Sequence, residues 1–231
     1  MHINTPEKTR KLIIVGDSAF AEIAHEYFSV DSDYEVVAFS VESAYLRQDS
    51  LHGLPCVAFE DIETKYAPAD HAVFVAATYT QLNRLRTRLS AAAKAKGYAL
   101  ASYISSRSFI WRNVEIGEHC FIFEDNTVQP YVKIRDNNVL WSGNHIGHHS
   151  TIHENCFIAS HAVVSGFCEI GANTFLGVNA TIANNVNIGR DNWIGLGVTI
   201  AKSTPDNTLY KGDRATPADI TTRAFFKIPE D

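Results

Sequence analysis

The chain has 231 residues, with 20 lysines and arginines against 26 aspartates and glutamates, which gives a formal net charge of −6 at pH 7. This balance excludes a generally basic nucleic-acid binder, because no surplus of cations is left to neutralise phosphates. A composition of 45% hydrophobic and 20% charged residues is typical of a globular protein and excludes a disordered chain.

Membrane and export signals are not found in the sequence. The longest apolar run, 72–77, is far shorter than the roughly 20 residues that cross a bilayer. Residues 1–11 are polar and lack the apolar segment of a secretory signal. We therefore expect a cytoplasmic protein without a membrane partner. The four cysteines are too few for a disulfide scaffold and predict small buried residues.

The first hundred residues alternate between apolar runs and helical patterns. Strands are predicted at 11–15, 35–41 and 72–77, and helices at 19–28 and 81–96. This order predicts an α/β domain with a parallel sheet over residues 1–100.

The turn after the first predicted strand reads Gly16-Asp17-Ser18-Ala19-Phe20-Ala21. Its backbone amides open a helix, where an anionic group can bind. The turn keeps one glycine where the dinucleotide fingerprint has three. Two interpretations stay open: a nucleotide-sugar contact at this turn, or a sheet that only packs against and orients the second half of the chain.

From Ile104 onward every sixth residue is Ile, Leu or Val, without a slip through Ile200. A step of six predicts short strands joined by corners, with three sides and about 18 residues per coil. Each aliphatic residue and the small residue two before it point inward, and glycine often follows the aliphatic residue, where the backbone is crowded. We predict a triangular parallel β-helix within a domain at 101–205, with residues 206–231 as a capping segment.

Histidine is concentrated in one coil of the predicted prism. Four of the ten histidines, His145, His148, His149 and His153, fall within nine residues. In this register His145 points outward from a flat side, whereas His148 and His149 occupy a corner. An imidazole is suited to act as a general base near neutral pH, although a solvated corner side chain is the alternative for each.

The same corner, followed one coil at a time, carries His148, Gly166, Asn184 and Lys202. This column offers a base, a residue without a side chain, a polar group and a cation. A long ligand parallel to the prism axis fits it, and the pantetheine arm of coenzyme A has that shape.

With these motifs the sequence over roughly 11–215 resembles the sugar acyltransferases of the sialic-acid O-acetyltransferase type, which include N-acetyltransferases of nucleotide-linked 4-amino sugars. The matching residues are Ile146-Gly147-His148-His149-Ser150-Thr151-Ile152 for the catalytic stretch, Ser165-Gly166 for the acetyl-coenzyme A contact, and Ile194-Gly195-Leu196-Gly197 for the late glycine motif. The resemblance implies a Rossmann-like domain followed by a left-handed hexapeptide β-helix.

The resemblance also implies roles for individual residues. His148 takes the position of the family's general base, with His145, His149 and Asn144 in support. Gly166, Gly195 and Gly197 match family motifs and are expected acetyl-coenzyme A contacts. The corner column adds Asn184 and Lys202 to these expected contacts. Gly16, Ser18, Ala19 and Glu42 are the expected contacts of the nucleotide-linked sugar. The expected oxyanion donor is the backbone amide of Gly166.

Three departures from the family pattern bear on substrate. His149 stands where the family has an acidic residue that orients its histidine, and Phe157 replaces a second histidine. The glycine-rich turn is reduced to the one at Gly16, and the late G-x-P-A-K motif reads Gly212-Asp213-Arg214-Ala215-Thr216. The acceptor sugar, its nucleotide, the choice between nitrogen and oxygen, and the acyl length are left open.

We therefore expect an acetyl-coenzyme A-dependent sugar acetyltransferase of polysaccharide biosynthesis that needs no metal. The predicted outward positions carry aromatic residues (Phe121, Phe123, Phe157, Phe175 and Trp193), which we expect the terminal segment or a neighbouring subunit to cover. Closed cyclic symmetry is the usual form of such an assembly, and the resemblance implies a homotrimer. Two alternatives are a non-catalytic scaffold and a zinc enzyme of the gamma-carbonic-anhydrase type that uses His145, His149 and His161.

Overall fold

The computed structural model describes residues 6–229 and begins with an α/β domain. Its elements are β1 (Arg10–Val15), α1 (Ala19–Val30), β2 (Tyr34–Val41), a 3-10 turn (Ser43–Tyr45), β3 (Ser50–Leu51), β4 (Leu54–Ala58), α2 (Ile62–Lys65), β5 (His71–Val75), α3 (Arg84–Ala95) and β6 (Ala99–Leu100). All predicted strands and helices are present, and the α/β class is confirmed.

The sheet of this domain has the order β3-β4-β2-β1-β5-β6, with every pair parallel except β3 and β4. Alternation along β1 sends Leu12 and Ile14 into the core shared with α1, and Ile13 and Val15 into the core shared with α3. After β4 the chain crosses to the other side of β1. The carboxyl ends of β1 and β5 therefore flank a crevice of the kind in which α/β sheets bind ligands.

The second domain is a prism with three sheets of parallel two-residue strands. Face A comprises β7 (Tyr103–Ile104), β10 (Phe121–Ile122), β13 (Val139–Leu140), β16 (Phe157–Ile158), β19 (Phe175–Leu176), β22 (Trp193–Ile194) and β24 (Leu209–Tyr210). Face B comprises β8 (Phe109–Ile110), β11 (Thr127–Val128), β14 (His145–Ile146), β17 (Val163–Val164), β20 (Thr181–Ile182) and β23 (Thr199–Ile200). Face C comprises β9 (Glu115–Ile116), β12 (Lys133–Ile134), β15 (Thr151–Ile152), β18 (Glu169–Ile170) and β21 (Asn187–Ile188).

The register of the prism is the one predicted. Each strand pairs with the strand 18 residues on, as Phe121 does with Val139, and the aliphatic residues from Ile122 to Ile194 are at most 2% exposed. A Cβ on Gly147 would lie 2.5 Å from the carbonyl carbon of Ser165, so the coil beneath excludes a side chain there. The cysteines are free and buried, as expected.

The prism differs from the prediction at its two ends. Ile104, in the first coil, is 41% exposed because no coil lies beyond it. At the other end β24 pairs with β22 and adds a rung after Pro205, where the sequence predicted a capping segment. Beyond this rung, residues 213–229 are exposed and include a short helix, α4 (Thr222–Phe225). Within residues 6–229, no helix has both the length and the apolarity to cross a bilayer.

Face A is covered by the α/β domain. Phe121 is fully buried, with its ring 5.5 Å from Phe20 and 5.8 Å from Phe28 of α1. Tyr79, in the loop after β5, packs its ring 4.7 Å from that of Phe175. The expectation that the terminal segment or a neighbour covers these aromatic residues is therefore wrong, because the periodicity cannot indicate where the first domain docks.

A buried polar network joins α3 to the corner between faces C and A. Arg86 is completely buried and donates hydrogen bonds to the carbonyl oxygens of Val75 and His119. His119 accepts a bond from the Val75 amide at Nε2 (2.9 Å) and lies 2.8 Å from Asn137 Oδ1 through Nδ1. Burial lowers the pKa of Arg86 to about 9, so the guanidinium stays charged at neutral pH.

Candidate functional site

His148 stands on the corner between faces B and C, with its imidazole exposed. The ring lies over the backbone of Gly166, where a Cβ would come within 2.8 Å of His148 Cε1 and 2.9 Å of Nε2. Any residue other than glycine at position 166 would displace the His148 ring. The backbone amide of His148 donates to Gln129 Oε1 at 3.0 Å, which fixes the corner from the preceding coil.

His149 contacts His148 directly. Their Nδ1 atoms are 3.1 Å apart. The ring of His149 stacks between Tyr131, at 4.6 Å and 27°, and Phe167, at 4.9 Å and 18°. Phe167 also meets the His148 ring edge-on at 5.0 Å. The structure thus brings together the predicted base and one of its predicted supporting residues, between two aromatic residues that sequence reasoning missed.

Two other predicted supporting residues lie elsewhere. Asn144 is 1% exposed and points into the prism, where its side chain donates to the carbonyl of Trp141 and accepts from the amide of Ala162 at 2.8 Å. Its support is structural, because these bonds hold a corner of the coil. His145 is half-buried on face B, and within residues 6–229 no hydrogen bond or ring contact joins it to His148.

The backbone amide of Gly166 already has an acceptor. It donates to Asn184 Oδ1 at 2.9 Å, so the expected oxyanion donor is occupied in this structure. Asn184 therefore ties together two coils beside His148. Lys202 is exposed further along the same corner.

A groove of about 820 Å³ lies on the other side of face B, along the corner between faces A and B. Its lining includes Ala159, Gly177 and Gly195 on the prism, Tyr79, Phe157, Phe175 and Trp193 at the domain boundary, and Lys211 and Arg214 near the C-terminus. Gly195 thus lines the groove, whereas Gly197 faces open space. The predicted coenzyme contacts therefore divide between two corners of the prism.

The groove arises from one column of residues, those that follow the aliphatic residue of face A. The side chains of this column are large at Phe123 and Trp141, and they are small or absent at Ala159, Gly177 and Gly195. A Cβ on Gly177 would lie 2.6 Å from the amide nitrogen of Leu196, so the packing of coils demands glycine. The indole nitrogen of Trp141, which also lines the groove, is buried and has no hydrogen-bond partner among the described residues.

A smaller cleft of about 280 Å³ lies at the carboxyl ends of β1, β2 and β5. Gly16, with φ of 135°, Ser18 and Glu42 line it, whereas Ala19 does not. Ser18 begins α1 without a capping hydrogen bond from its side chain, so its hydroxyl is available to a ligand. Thr78 lines both cleft and groove, which makes them neighbours.

Glu42 is not a free carboxylate. Arg88 donates to both of its oxygens at 2.8 Å, and these bonds lower the pKa of Glu42. Glu42, one of the expected contacts of the nucleotide-linked sugar, is therefore already paired with a side chain of α3. Arg88, at the rim of the cleft, was missed because nothing in the sequence links α3 to the end of β2.

Residues 131–166 match the model of the bacterial transferase hexapeptide family (six repeats). The prism is a hexapeptide-repeat β-helix. The parallel strands and six-residue step of this hexapeptide domain fit the left-handed form that the resemblance implied. No curated protein sequence matches the chain.

Solved structures match the hexapeptide domain and the α/β domain together. The acetyltransferase domain of PglB from Neisseria gonorrhoeae has 23% identity and a TM-score of 0.80, covering 91% of this chain and 100% of its own. A variant of perosamine N-acetyltransferase from Caulobacter crescentus, in complex with CoA and GDP-perosamine, has 22% identity and a TM-score of 0.78, covering 87% and 93%. WeeI from Acinetobacter baumannii has 22% identity and a TM-score of 0.75, covering 88% and 97%. At these identities the likeness establishes the fold.

The zinc alternative is not supported by the arrangement of side chains. In the described part of the chain no group of three or more His, Cys, Asp or Glu residues is placed to hold a metal ion. The ring of His149 stacks between two aromatic rings, and His161 lies over Gly143 on a different corner.

Proposed function

We propose that the protein transfers an acetyl group from acetyl-coenzyme A to an amino or hydroxyl group of a nucleotide-linked sugar, for polysaccharide biosynthesis in the cytoplasm. The observation that carries the proposal is the exposed imidazole of His148 over the backbone of Gly166. Support comes from the shared fold, because the PglB domain is also known in complex with acetyl coenzyme A and the perosamine enzyme with CoA and GDP-perosamine.

In this proposal His148 Nε2 accepts the proton of the acceptor group while its nitrogen or oxygen attacks the thioester carbonyl. The carbon–sulfur bond then breaks, and the proton passes from His148 to the departing thiolate. General-base assistance of this kind contributes about 10² to 10⁴ in rate. No metal or covalent enzyme intermediate is required, since the thioester is already activated.

The proposal places the nucleotide in the cleft at Gly16 and Ser18, and the sugar in the adjoining groove. Hydroxyl and amide donors of the cleft suit phosphate oxygens, and the aromatic lining of the groove suits a sugar ring. The pantetheine arm runs along the corner of His148. Lys202, together with Lys211 and Arg214 of the groove, supplies positive charge for the donor's phosphates.

One chain does not bring these parts together, because face B separates His148 from the groove. A cyclic homotrimer solves this problem: the His148 corner of one prism faces the groove of its neighbour, and face B, where Phe109 and Val163 are exposed, lies in between. We expect sedimentation equilibrium at micromolar concentration to give about three times the chain mass of 25.6 kDa. A monomer would contradict this assembly.

A large side chain in the groove is expected to weaken binding of the acceptor sugar. Ala159→Trp places an indole among Tyr79, Phe157 and Phe175, and should lower kcat/KM for the sugar by at least about tenfold through steric exclusion. The matched control is Ala91→Trp on the exposed side of α3. Its kcat/KM for the sugar should equal that of the unmodified protein. Equal activity of the two variants would show that the groove does not hold the substrate.

The function itself is tested by incubating the protein with acetyl-coenzyme A and a panel of nucleotide-linked amino sugars while following the release of free thiol. A non-catalytic scaffold would release none. Thermal shifts distinguish a further case, because a ligand at 100 times its Kd adds about 2.7 kcal/mol to stability. Stabilisation by coenzyme A without any turnover would favour a binding protein.

A further inference from the structure

We infer that His149 is the positioning residue of the reaction: through its Nδ1 it holds His148 in the tautomer that carries hydrogen on Nδ1 and leaves Nε2 free. This inference rests on the proposed function, because it assigns the partner of the proposed base. It departs from the usual use of a carboxylate beside a histidine, since here a second imidazole takes that place.

The distance between the two rings limits where the protons lie. Two nitrogens 3.1 Å apart share one hydrogen, and a neutral imidazole has one donor nitrogen and one acceptor nitrogen. If His149 donated, His148 would accept at Nδ1 and carry its proton on Nε2, where it blocks base catalysis. If His148 donates, its Nε2 lone pair is free on the side of the ring that lies against Gly166. Only the second arrangement is compatible with a base.

Two aromatic rings orient the imidazole of His149. Tyr131 and Phe167 lie one coil before and one coil after it, and their rings clamp the imidazole at 4.6 and 4.9 Å. All three residues have left-handed backbone conformations, with φ between 58° and 65°. Many equivalent corners of the prism carry Asn, the residue that tolerates this conformation best after glycine. The aromatic side chains at these three corners are therefore explained by the stacking of their rings and not by the backbone conformation.

The arrangement survives the proton transfer. When Nε2 of His148 gains a proton from the acceptor group, Nδ1 keeps its own hydrogen and its bond to His149. The imidazolium is thus stabilised by a neutral acceptor throughout. A second proton on His149 would place two donors face to face and remove this support.

Three variants distinguish the contribution of the His149 Nδ1 acceptor from that of the stacked His149 ring. His149→Phe keeps a ring between Tyr131 and Phe167 but has no acceptor. His149→Asn fits the left-handed backbone and sets an amide oxygen close to the place of Nδ1. His153→Phe, which makes the same change at an exposed imidazole on face C, is the matched control. We expect kcat to fall by roughly tenfold or more in His149→Phe, and to stay within about threefold of the unmodified protein in the other two, with KM unchanged in all three.

Nitrogen-15 spectra of histidine-labelled protein provide a readout that needs no turnover. The signal of His148, assigned by its loss in His148→Asn, should report hydrogen on Nδ1 in the unmodified protein and in His149→Asn, and a shift towards hydrogen on Nε2 in His149→Phe. A proton on Nε2 in the unmodified protein, or full kcat in His149→Phe, would overturn the inference. Failure of the proposed function is seen separately, as an absence of thiol release from the unmodified protein.

Discussion

Replacement of His148 by alanine is expected to lower kcat for acetyl transfer by at least about a hundredfold, because the acceptor group must then lose its proton to water. The ring is exposed at a corner and makes no contact in the prism core, so the fold should be unaffected. The rate of thiol release with saturating substrates measures the effect.

His153→Ala is the control for this experiment, since His153 is an exposed imidazole of the same coil that pairs with Glu169 on face C. Its rate should equal that of the unmodified protein. Melting curves of both variants should coincide with that of the unmodified protein. A His148→Ala variant that turns over at a normal rate would remove the general base from the mechanism while leaving the fold as described.

Below pH 6.5 the free energy of unfolding is expected to fall with falling pH, by up to about 1.4 kcal/mol for each pH unit from His119 alone. Burial, followed by the charge of Arg86, holds the pKa of His119 well below the ordinary value of 6.5, and Lys94 acts in the same direction. Below pH 6.5, His119 therefore binds a proton in the unfolded chain but not in the folded protein. Stability from this group is complete above pH 6.5 and declines as the pH falls towards the lower folded pKa.

His119→Gln tests this prediction with little change in shape, because the glutamine oxygen can still accept the hydrogen bond of the Val75 amide. Urea unfolding at a series of pH values from 5 to 7.5 measures the slope for both proteins. The variant should lose the part of the slope that His119 contributes. Parallel slopes in the two proteins would mean that folding does not lower the pKa of His119.

The prism and its inward side were predictable from the sequence because each coil repeats one local rule. The aliphatic step of six, the small inward residues and the crowded glycines all depend on the neighbouring coil, which lies 18 residues away. The position of His148 at a corner follows from the same count. These features need no knowledge of how the distant parts of the chain meet.

The remaining features depend on contacts between segments that are distant in the chain. The periodicity of the sequence does not indicate these contacts. The contact of face A with α1, the pairing of Glu42 with Arg88 and the wall that Tyr79 adds to the groove each join segments from different patterns. Asn144 was misassigned for a different reason. It was expected to support the base, whereas its inward direction gives it bonds to the prism backbone.

The cover that the α/β domain provides for face A makes the change of pattern near residue 100 a poor place to divide the protein. A fragment beginning there would turn Phe121 and Phe157, which are 0% and 3% exposed, outward into water as a continuous apolar strip. The two halves look separate in sequence, but each buries apolar surface of the other. We therefore expect them to unfold as one cooperative unit.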